Sequence, residues 1–195
     1  MKRFLLFNKI DSYNEETLLE VKYLAHIYRN IGYECIGVSA KTGKNIDKVK
    51  KLMSDKVSMF SGHSGVGKST LVNAIEPSLN LKTKEISSQH MLGQHTTTFA
   101  EMFDTSFGGK IIDTPGIKGF GVVDMDQEEV GDYFPEIFKL KQDCKFNNCL
   151  HIHEPKCAVK KALDKDEIAY SRYRSYLQIL HGEDENYRLD NWEDD

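Results

Sequence analysis

Apolar and polar positions follow each other along the first two thirds of the chain in blocks that predict an α/β fold. Short apolar runs have the length of buried strands and lie at 4–7, 35–38, 57–60 and 110–112. Segments with apolar residues at helical spacing predict helices at 15–30, 45–54 and 68–75. Because strands and helices alternate, we predict a largely parallel sheet with helices on both faces.

The pattern changes in the last third of the chain, where helices are predicted without strands. Segment 78–95 has no periodic pattern and is predicted to be a loop, followed by a strand at 98–103. Short helices are predicted within 127–140 and a longer helix over 164–181. We therefore expect one domain over 1–135 and a small helical domain over 136–195, which ends in an acidic tail.

Composition and charge narrow the class of protein only slightly. The 195 residues carry a formal net charge of −4, which gives no global nucleic-acid signature. No apolar run approaches the roughly 18 residues of a membrane-spanning helix. We expect a cytoplasmic protein without a membrane partner.

A glycine-rich segment follows the third predicted strand and opens the helix at 68–75. It fits the pattern Gly-x4-Gly-Lys-Ser/Thr, in which backbone N–H groups surround phosphates, the lysine reaches the β and γ oxygens and the serine holds Mg²⁺. The residues predicted to bind phosphate are Gly62, His63, Ser64, Gly65, Val66, Gly67, Lys68, Ser69 and Thr70. The sequence therefore predicts a nucleoside triphosphate site.

Three further segments follow predicted strands. Two of them indicate which base is bound, and the third is predicted to lie at the phosphate end of the nucleotide. The sequence Asn8-Lys9-Ile10-Asp11 ends the first strand, and its carboxylate is suited to accept hydrogen bonds from the N1–H and N2–H₂ groups of guanine. Ser39 and Ala40 end the second strand, where the Ala40 N–H is suited to meet guanine O6. Asp113 and Gly116 follow the last strand, facing Mg²⁺ and the γ-phosphate respectively. Residues that recognise guanine also argue against a kinase, because a kinase does not need them.

The order of these elements differs from that in Ras-like GTPases, in which the phosphate loop comes first. Here the base-reading segments precede it, and the switch segments follow it. Because such a site depends on where strands lie and not on their order, we predict a circularly permuted GTPase domain.

Three cysteines and two histidines cluster after residue 143 and predict a metal site. The spacing Cys144-x4-Cys149-x-His151-x5-Cys157 supplies three thiolates and one imidazole, a set that Zn²⁺ favours, and His153 is the competing imidazole. With all four positions filled, the zinc would be structural. Cys35 stands apart in a strand and is predicted to be a buried free thiol.

These motifs together resemble the RsgA (YjeQ) family of circularly permuted GTPases. The resemblance covers nearly the whole chain and also rests on the segments 93–98, 113–117 and 133–136. It favours His151 as the fourth zinc ligand. It implies GTP or GDP with Mg²⁺ held by Ser69 and by one threonine of 96–98, taken here as Thr97. It also implies one structural Zn²⁺ and His95 as the residue that orients the attacking water. A structural role for His95 in the switch loop stays open, because an imidazole suits both roles.

The resemblance also implies what the protein acts on. Members hydrolyse GTP slowly until the 30S ribosomal subunit stimulates them, and their zinc domain contacts 16S rRNA. We expect a monomer that acts in late assembly of this subunit. Lys156, Lys160, Lys161 and Lys165, with Arg172 and Arg174, are candidates for RNA contact, although they also fit an ordinary solvated surface.

The chain departs from the family pattern at its start. Members carry an OB-fold barrel and one further strand and helix before the Asn-Lys-x-Asp strand, and this chain opens directly on that strand. Two outcomes are open: a gap in the sheet, or direct pairing of segments 4–8 and 57–61. The gap favours an alternative function, a nucleotide-inactive fragment that binds zinc and RNA.

Overall fold

The computed structural model describes residues 2–63, 65–81, 101–113 and 125–182. The chain forms two compact units, Met1–Lys118 and Gly119–Asp195, and each unit has its own apolar core.

Unit 1 alternates strands and helices, as the apolar pattern predicts. Its elements are β1 (Phe4–Phe7), α1 (Glu15–Asn30), β2 (Glu34–Gly37), α2 (Ile46–Met53), β3 (Val57–Met59), α3 (Lys68–Ile75), a 3₁₀ turn (Pro77–Leu79), β4 (Glu101–Asp104) and β5 (Lys110–Asp113). The observed strands and helices of this unit begin and end within a few residues of the predicted bounds.

The described strands of unit 1 belong to two sheets. β1 runs parallel to β2, with Phe4 opposite Glu34. β5 lies between β3 and β4, parallel to β3 and antiparallel to β4. The parallel pairs place the carboxyl ends of neighbouring strands at the same edge, which is where nucleotide loops of α/β proteins lie.

Direct pairing of segments 4–8 and 57–61 was an open alternative, and it is wrong. β1 and β3 have ladder partners in different sheets, so the structure has the gap and not the rearrangement. The side chains of Val57 and Met59 are 58% and 52% exposed, as expected for a strand at the edge of its sheet.

Local signals explain where the first helix begins and ends. Asn14 is the N-cap of α1, and its side chain accepts a hydrogen bond of 2.8 Å from the Thr17 N–H. Glu15 and Glu16 lie in the first turn and Arg29 in the last, which matches the helix dipole. α1 contributes Ala25 and Ile27 to the buried residues of unit 1.

The core of unit 1 joins the phosphate-loop helix to both sheets. Its largest fully buried members include Ile75 of α3 and Ile111 of β5, both without exposed surface. Burying a side chain of this size stabilises the fold by roughly 1.5–3 kcal/mol. Because α3 packs against α2 and contributes Leu71, Val72 and Ile75 to this core, the phosphate loop at its start has a rigid support.

A buried carboxylate ties the end of α3 to the β4–β5 turn. Glu76 is 3% exposed and accepts hydrogen bonds of 2.6 Å from Ser78 Oγ and from the Ser106 N–H. The bond from Ser78, followed by that from Ser106, lowers the pKa of Glu76 from 4.5 to about 2.

We expect Glu76→Gln to lower the free energy of unfolding by about 1–3 kcal/mol at pH 7, because one charged acceptor is lost. A depressed folded-state pKa stabilises above the unfolded-state value, and this contribution is lost as the pH falls from about 4.5 to about 2. Urea unfolding should therefore separate the variant from the parent chain at pH 7 and bring the two together near pH 2. Glu101→Gln, an exposed acid of β4, is the matched control; a difference that persists at pH 2 would contradict the assignment.

Unit 2 is helical over its described residues. Its elements are α4 (Gln127–Val130), a 3₁₀ turn (Gly131–Tyr133), α5 (Pro135–Lys141), α6 (Ala158–Leu163) and α7 (Tyr170–His181). Its core includes Ile137 and Val159, which are fully buried, and the edge-to-face pair Phe134–Tyr176, whose ring centroids are 5.6 Å apart.

The helix predicted over 164–181 is shorter than expected and begins at Tyr170. α6 ends with the Glu167 N–H bonded to the Ala162 carbonyl and the Asp166 N–H bonded to the Leu163 carbonyl, at 2.9 and 3.1 Å. This is a Schellman motif, with Asp166 at φ 58 where a glycine is usual. The motif separates the two helices.

No helix within the described residues is long and apolar enough to cross a bilayer.

Candidate functional site

The phosphate loop connects β3 to α3 and has the backbone that its sequence predicts. Gly67 is the N-cap of α3 at φ 89, a conformation that side chains rarely adopt. Lys68 Nζ donates to the carbonyl of Gly62 and, at 2.8 Å, to that of His63. Ser69 is half-buried on the first turn of α3. The N-terminus of α3 and the Lys68 side chain therefore both lie against the phosphate loop.

The base-reading segment after β1 contacts the phosphate loop directly. Lys9 Nζ donates to the Gly65 carbonyl at 2.7 Å, and Asn8 Nδ2 donates to the Val66 carbonyl at 3.1 Å. A methyl group at Gly67 would lie 2.7 Å from Asn8 Nδ2, so the two loops are in close contact there. Although β1 and β3 belong to separate sheets, the loops at their carboxyl ends form one cluster.

The second base-reading segment lies beside the first. Ser39 Oγ donates to Asp11 Oδ1 at 2.5 Å, and the Ala40 N–H donates to Asn8 Oδ1 at 3.3 Å. The bond from Ser39 holds the pKa of Asp11 below its ordinary value. Asp11 is exposed and Ile10 half-buried, so the carboxylate is an accessible acceptor at neutral pH.

Two supporting residues were not found by sequence reasoning. Tyr13 donates its hydroxyl to the Asn8 carbonyl, and Ser12 Oγ donates to the Lys9 carbonyl at 2.8 Å. Lys9 is held at φ 65 in this turn. Only their proximity in sequence to Asn8 and Lys9 points to such a role, and that is no specific signal.

The switch residues are described only in part. Asp113 ends β5, and its backbone lies at the carboxyl end of the strand next to β3, the strand that leads into the phosphate loop. Asn73 of α3 exchanges two hydrogen bonds with the backbone of Leu81, at 2.7 and 2.8 Å. Ser64, His95, Thr97 and Gly116 lie outside the described residues.

The four residues predicted to bind metal come together in unit 2. The ligand atoms of Cys144, Cys149, His151 and Cys157 all lie within 4.8 Å of one another. The Sγ atoms of Cys144 and Cys157 are 3.9 Å apart and lie 3.6 and 3.4 Å from His151 Nδ1. His153 is exposed and outside this cluster, and its N–H is bonded to Glu154.

The three separations among Cys144, Cys157 and His151 fit an ion with tetrahedral coordination. Zinc bond lengths give edges of roughly 3.8 Å between two sulfurs and roughly 3.6 Å between sulfur and nitrogen. Burial lowers the pKa of His151, which favours the neutral imidazole that a metal needs. Burial also raises the pKa of the Cys149 and Cys157 thiols, a cost that a divalent cation would offset.

Side chains of α7 and of the metal loop itself fix the backbone around His151. Tyr173 and Tyr176 donate their hydroxyls to the carbonyls of His151 and Leu150, at 2.6 and 2.8 Å. The Glu154 carboxylate accepts the N–H groups of Leu150, Ile152 and His153. His151 is at φ 59, so these bonds hold a left-handed residue in place.

Residues predicted to contact RNA fall into two groups. Lys156, Lys160, Lys161 and Lys165 line one groove. Arg172 is only 14% exposed in its side chain, because its guanidinium forms a bidentate ion pair with Glu136 and stacks over Phe134. Arg172 therefore has a packing role.

Comparison with known proteins gives a consistent result. The family model RsgA GTPase matches residues 1–123. The small ribosomal subunit biogenesis GTPase RsgA of Christiangramia forsetii is 71% identical over 97% of the chain, and that of Flavobacterium psychrophilum is 65% identical over all of it. The chain spans 60% of the length of both relatives.

Solved structures show the same similarity. YjeQ from Thermotoga maritima superposes with a TM-score of 0.78 at 37% identity, over 93% of this chain and 59% of that one. YloQ, described as a circularly permuted GTPase, superposes with a TM-score of 0.73 at 33% identity, over 92% and 56% of the two chains.

Proposed function

Because this chain belongs to the RsgA GTPase family, we propose that it binds and hydrolyses GTP during assembly of the small ribosomal subunit. The observation that carries the proposal is the contact between the base-reading and phosphate loops, through Lys9–Gly65 and Asn8–Val66. The gap between β1 and β3 leaves this contact intact, so one nucleotide is able to span both loops.

Each part of the site has a distinct task in nucleotide binding. Asp11 accepts the N1–H and N2–H₂ groups of guanine and, through Ser39, stays ionised. The Ala40 N–H, which Asn8 now holds at 3.3 Å, turns to guanine O6. The backbone N–H groups of 62–68 and Lys68 bind the phosphates.

Hydrolysis uses residues near the γ-phosphate. Ser69 and Thr97 hold Mg²⁺, which neutralises charge on the phosphate oxygens when bound. Asp113 and Gly116 are the switch II residues, and His95 orients the water. No glutamine follows Gly116, since 117–119 is Ile-Lys-Gly, so intrinsic turnover is slow and is stimulated by the ribosome.

Unit 2 supplies the docking part of the proposal. Cys144, Cys149, His151 and Cys157 hold one structural Zn²⁺, which stabilises the unit without taking part in hydrolysis. In functional terms, residues 1–135 are the GTPase domain and 136–195 contact 16S rRNA of the 30S subunit. The protein acts as a cytoplasmic monomer.

One observation favours a second function. Because β1 and β3 are not paired, the base pocket lacks the continuous sheet that fixes its distance from the phosphates. A nucleotide-inactive chain that keeps zinc and RNA binding would associate with ribosomes regardless of GTP.

We expect Asp11→Asn to weaken GTP binding roughly 10- to 100-fold, because a charged acceptor of two hydrogen bonds is lost. Xanthosine triphosphate should bind more tightly to the variant, since the new amide N–H₂ faces the 2-oxo group. Competition titrations with both nucleotides measure the change. Asp47→Asn, an exposed acid of α2, is the matched control, and an unaltered preference in Asp11→Asn would refute the base pocket.

A further inference from the structure

A small groove on unit 2 combines an exposed aromatic ring with lysines and amides. It has a volume of about 500 Å³ and is lined by Phe138, Lys139, Lys141, Gln142 and Asn147. Phe138 is 55% exposed and is not among the residues of the unit's apolar core. We call this feature the Phe138 groove.

Lysines lie against exposed rings at two places in this region. Lys141 Nζ is 5.4 Å from the centroid of Phe138 and is oriented by an ion pair with Asp132. Lys145 Nζ is 5.0 Å from the centroid of Phe146, which is 38% exposed and precedes Asn147 in the chain. Positive charge and accessible π-faces are therefore found together.

Charge separates the Phe138 groove from the larger one on the same unit. The larger groove, of about 870 Å³, contains Lys156, Lys160, Lys161 and Lys165. It also contains four carboxylates, those of Asp143, Glu154, Asp164 and Glu167, so its lysines and acids balance. The lining of the Phe138 groove has two lysines and no acid, but Asp132 pairs with one of them, Lys141, so Lys139 is the lysine left to meet an anion. The Phe138 groove is therefore the better candidate of the two for binding an anionic partner.

We infer that the Phe138 groove binds single-stranded RNA, with an unstacked base on the Phe138 ring and an adjoining phosphate on Lys139. Gln142 and Asn147 are placed to donate and accept hydrogen bonds at the edge of that base. This inference rests on the proposed ribosomal function and names the surface and the form of RNA it recognises.

The residues that line the groove favour a single strand over a duplex or a protein. Bases in a duplex are stacked on each other, and only an unpaired base exposes the face that an aromatic side chain contacts. A protein partner would favour an apolar groove, whereas here one ring is surrounded by amines and amides. Stacking together with lysine contacts is typical of single-strand binding.

The test measures RNA binding by fluorescence anisotropy with the full zinc-loaded chain. The probes are a labelled unstructured RNA of about 12 nucleotides and a duplex of the same length. Phe138→Ala should weaken single-strand binding roughly 5- to 100-fold, and Phe138→Tyr should restore it because the ring is kept. Tyr170→Ala, which removes a 71% exposed ring outside the groove, is the matched control and should bind as the parent chain does.

A second variant tests the charge part of the inference. Lys139→Gln should reduce the slope of log affinity against log salt by about 0.7, the value for one phosphate contact on a single strand. Lys161→Gln, in the larger groove, should leave the slope near that of the parent chain.

Several results would overturn the inference. They are no single-strand binding by the parent chain, equal binding by Phe138→Ala, and a salt slope that changes with Lys161 and not with Lys139. If Phe138→Ala keeps its RNA affinity and loses affinity for the small subunit, the groove contacts protein instead. GDP affinity is measured on the same samples, so a failure of the nucleotide site is recorded separately from a failure of the groove.

Discussion

Gly67→Ala is expected to lower the affinity for GDP about 10-fold. Gly67 is at φ 89, where a side chain costs roughly 1–2 kcal/mol. The new methyl group would lie 2.7 Å from Asn8 Nδ2, so Asn8 has to move and its bond to the Val66 carbonyl is lost, at about 0.5–1.5 kcal/mol. The backbone strain lowers stability with or without nucleotide, so only the lost contact between the loops enters the affinity, and its upper value gives the expected change. Titration with a fluorescent GDP in the presence of Mg²⁺ measures it.

Gly32→Ala is the matched control for this prediction. Gly32 is at φ 96, and a methyl group there has no neighbour within 4 Å. This variant should pay the same backbone cost in stability and keep its GDP affinity. Equal losses of affinity in both variants would mean that contact between the loops does not control binding.

Cys157→Ser is expected to lower the affinity for zinc at least about 1,000-fold and to unfold unit 2. Cys157 is 5% exposed, contacts both Cys144 and His151, and caps α6 by accepting the Lys160 N–H. Structural zinc contributes about 10–16 kcal/mol to folding in small zinc domains, and loss of a thiolate removes much of this. Zinc retained in competition with a chelator, together with helical circular dichroism, measures the effect.

The control for this prediction is Cys35→Ser, which removes a buried cysteine of unit 1 far from the cluster in sequence. Cys35→Ser should keep one zinc per chain. GDP affinity should survive in Cys157→Ser, because the nucleotide loops lie in unit 1. Full zinc retention by Cys157→Ser would refute the ligand set.

Elements with strong local signals were predicted well from the sequence. The helix at 15–30 has a capping Asn14 and acidic residues in its first turn, and the structure has the same bounds. The helix at 68–75 begins directly after the glycine that its motif requires. In these cases the local sequence alone specifies the backbone.

Features that depend on less common local chemistry were missed. The break between α6 and α7 is made by Asp166 in a left-handed conformation, and no glycine or proline marks it. The gap between β1 and β3 was one of two outcomes left open, because which strands pair is a long-range property that apolar runs do not encode.

Contacts between distant side chains were beyond sequence reasoning for a similar reason. Arg172 was a candidate for RNA contact because it is a cation on an exposed-looking helix, yet it pairs with Glu136, 36 positions away. Helical periodicity predicts which face is apolar, and it does not identify a buried acid on another helix. The hydrogen bond from the Tyr13 hydroxyl to the Asn8 carbonyl spans only five positions, and no sequence pattern indicated it either.

The central claim is that the two nucleotide loops of unit 1 form a working guanine site in spite of the gap between β1 and β3. Titration of the zinc-loaded chain with fluorescent GDP and Mg²⁺, competed by unlabelled GDP and by ADP, tests this claim most directly. We expect micromolar binding that GDP displaces and ADP does not. Absence of binding by a folded, zinc-loaded chain, or equal displacement by ADP, would contradict it.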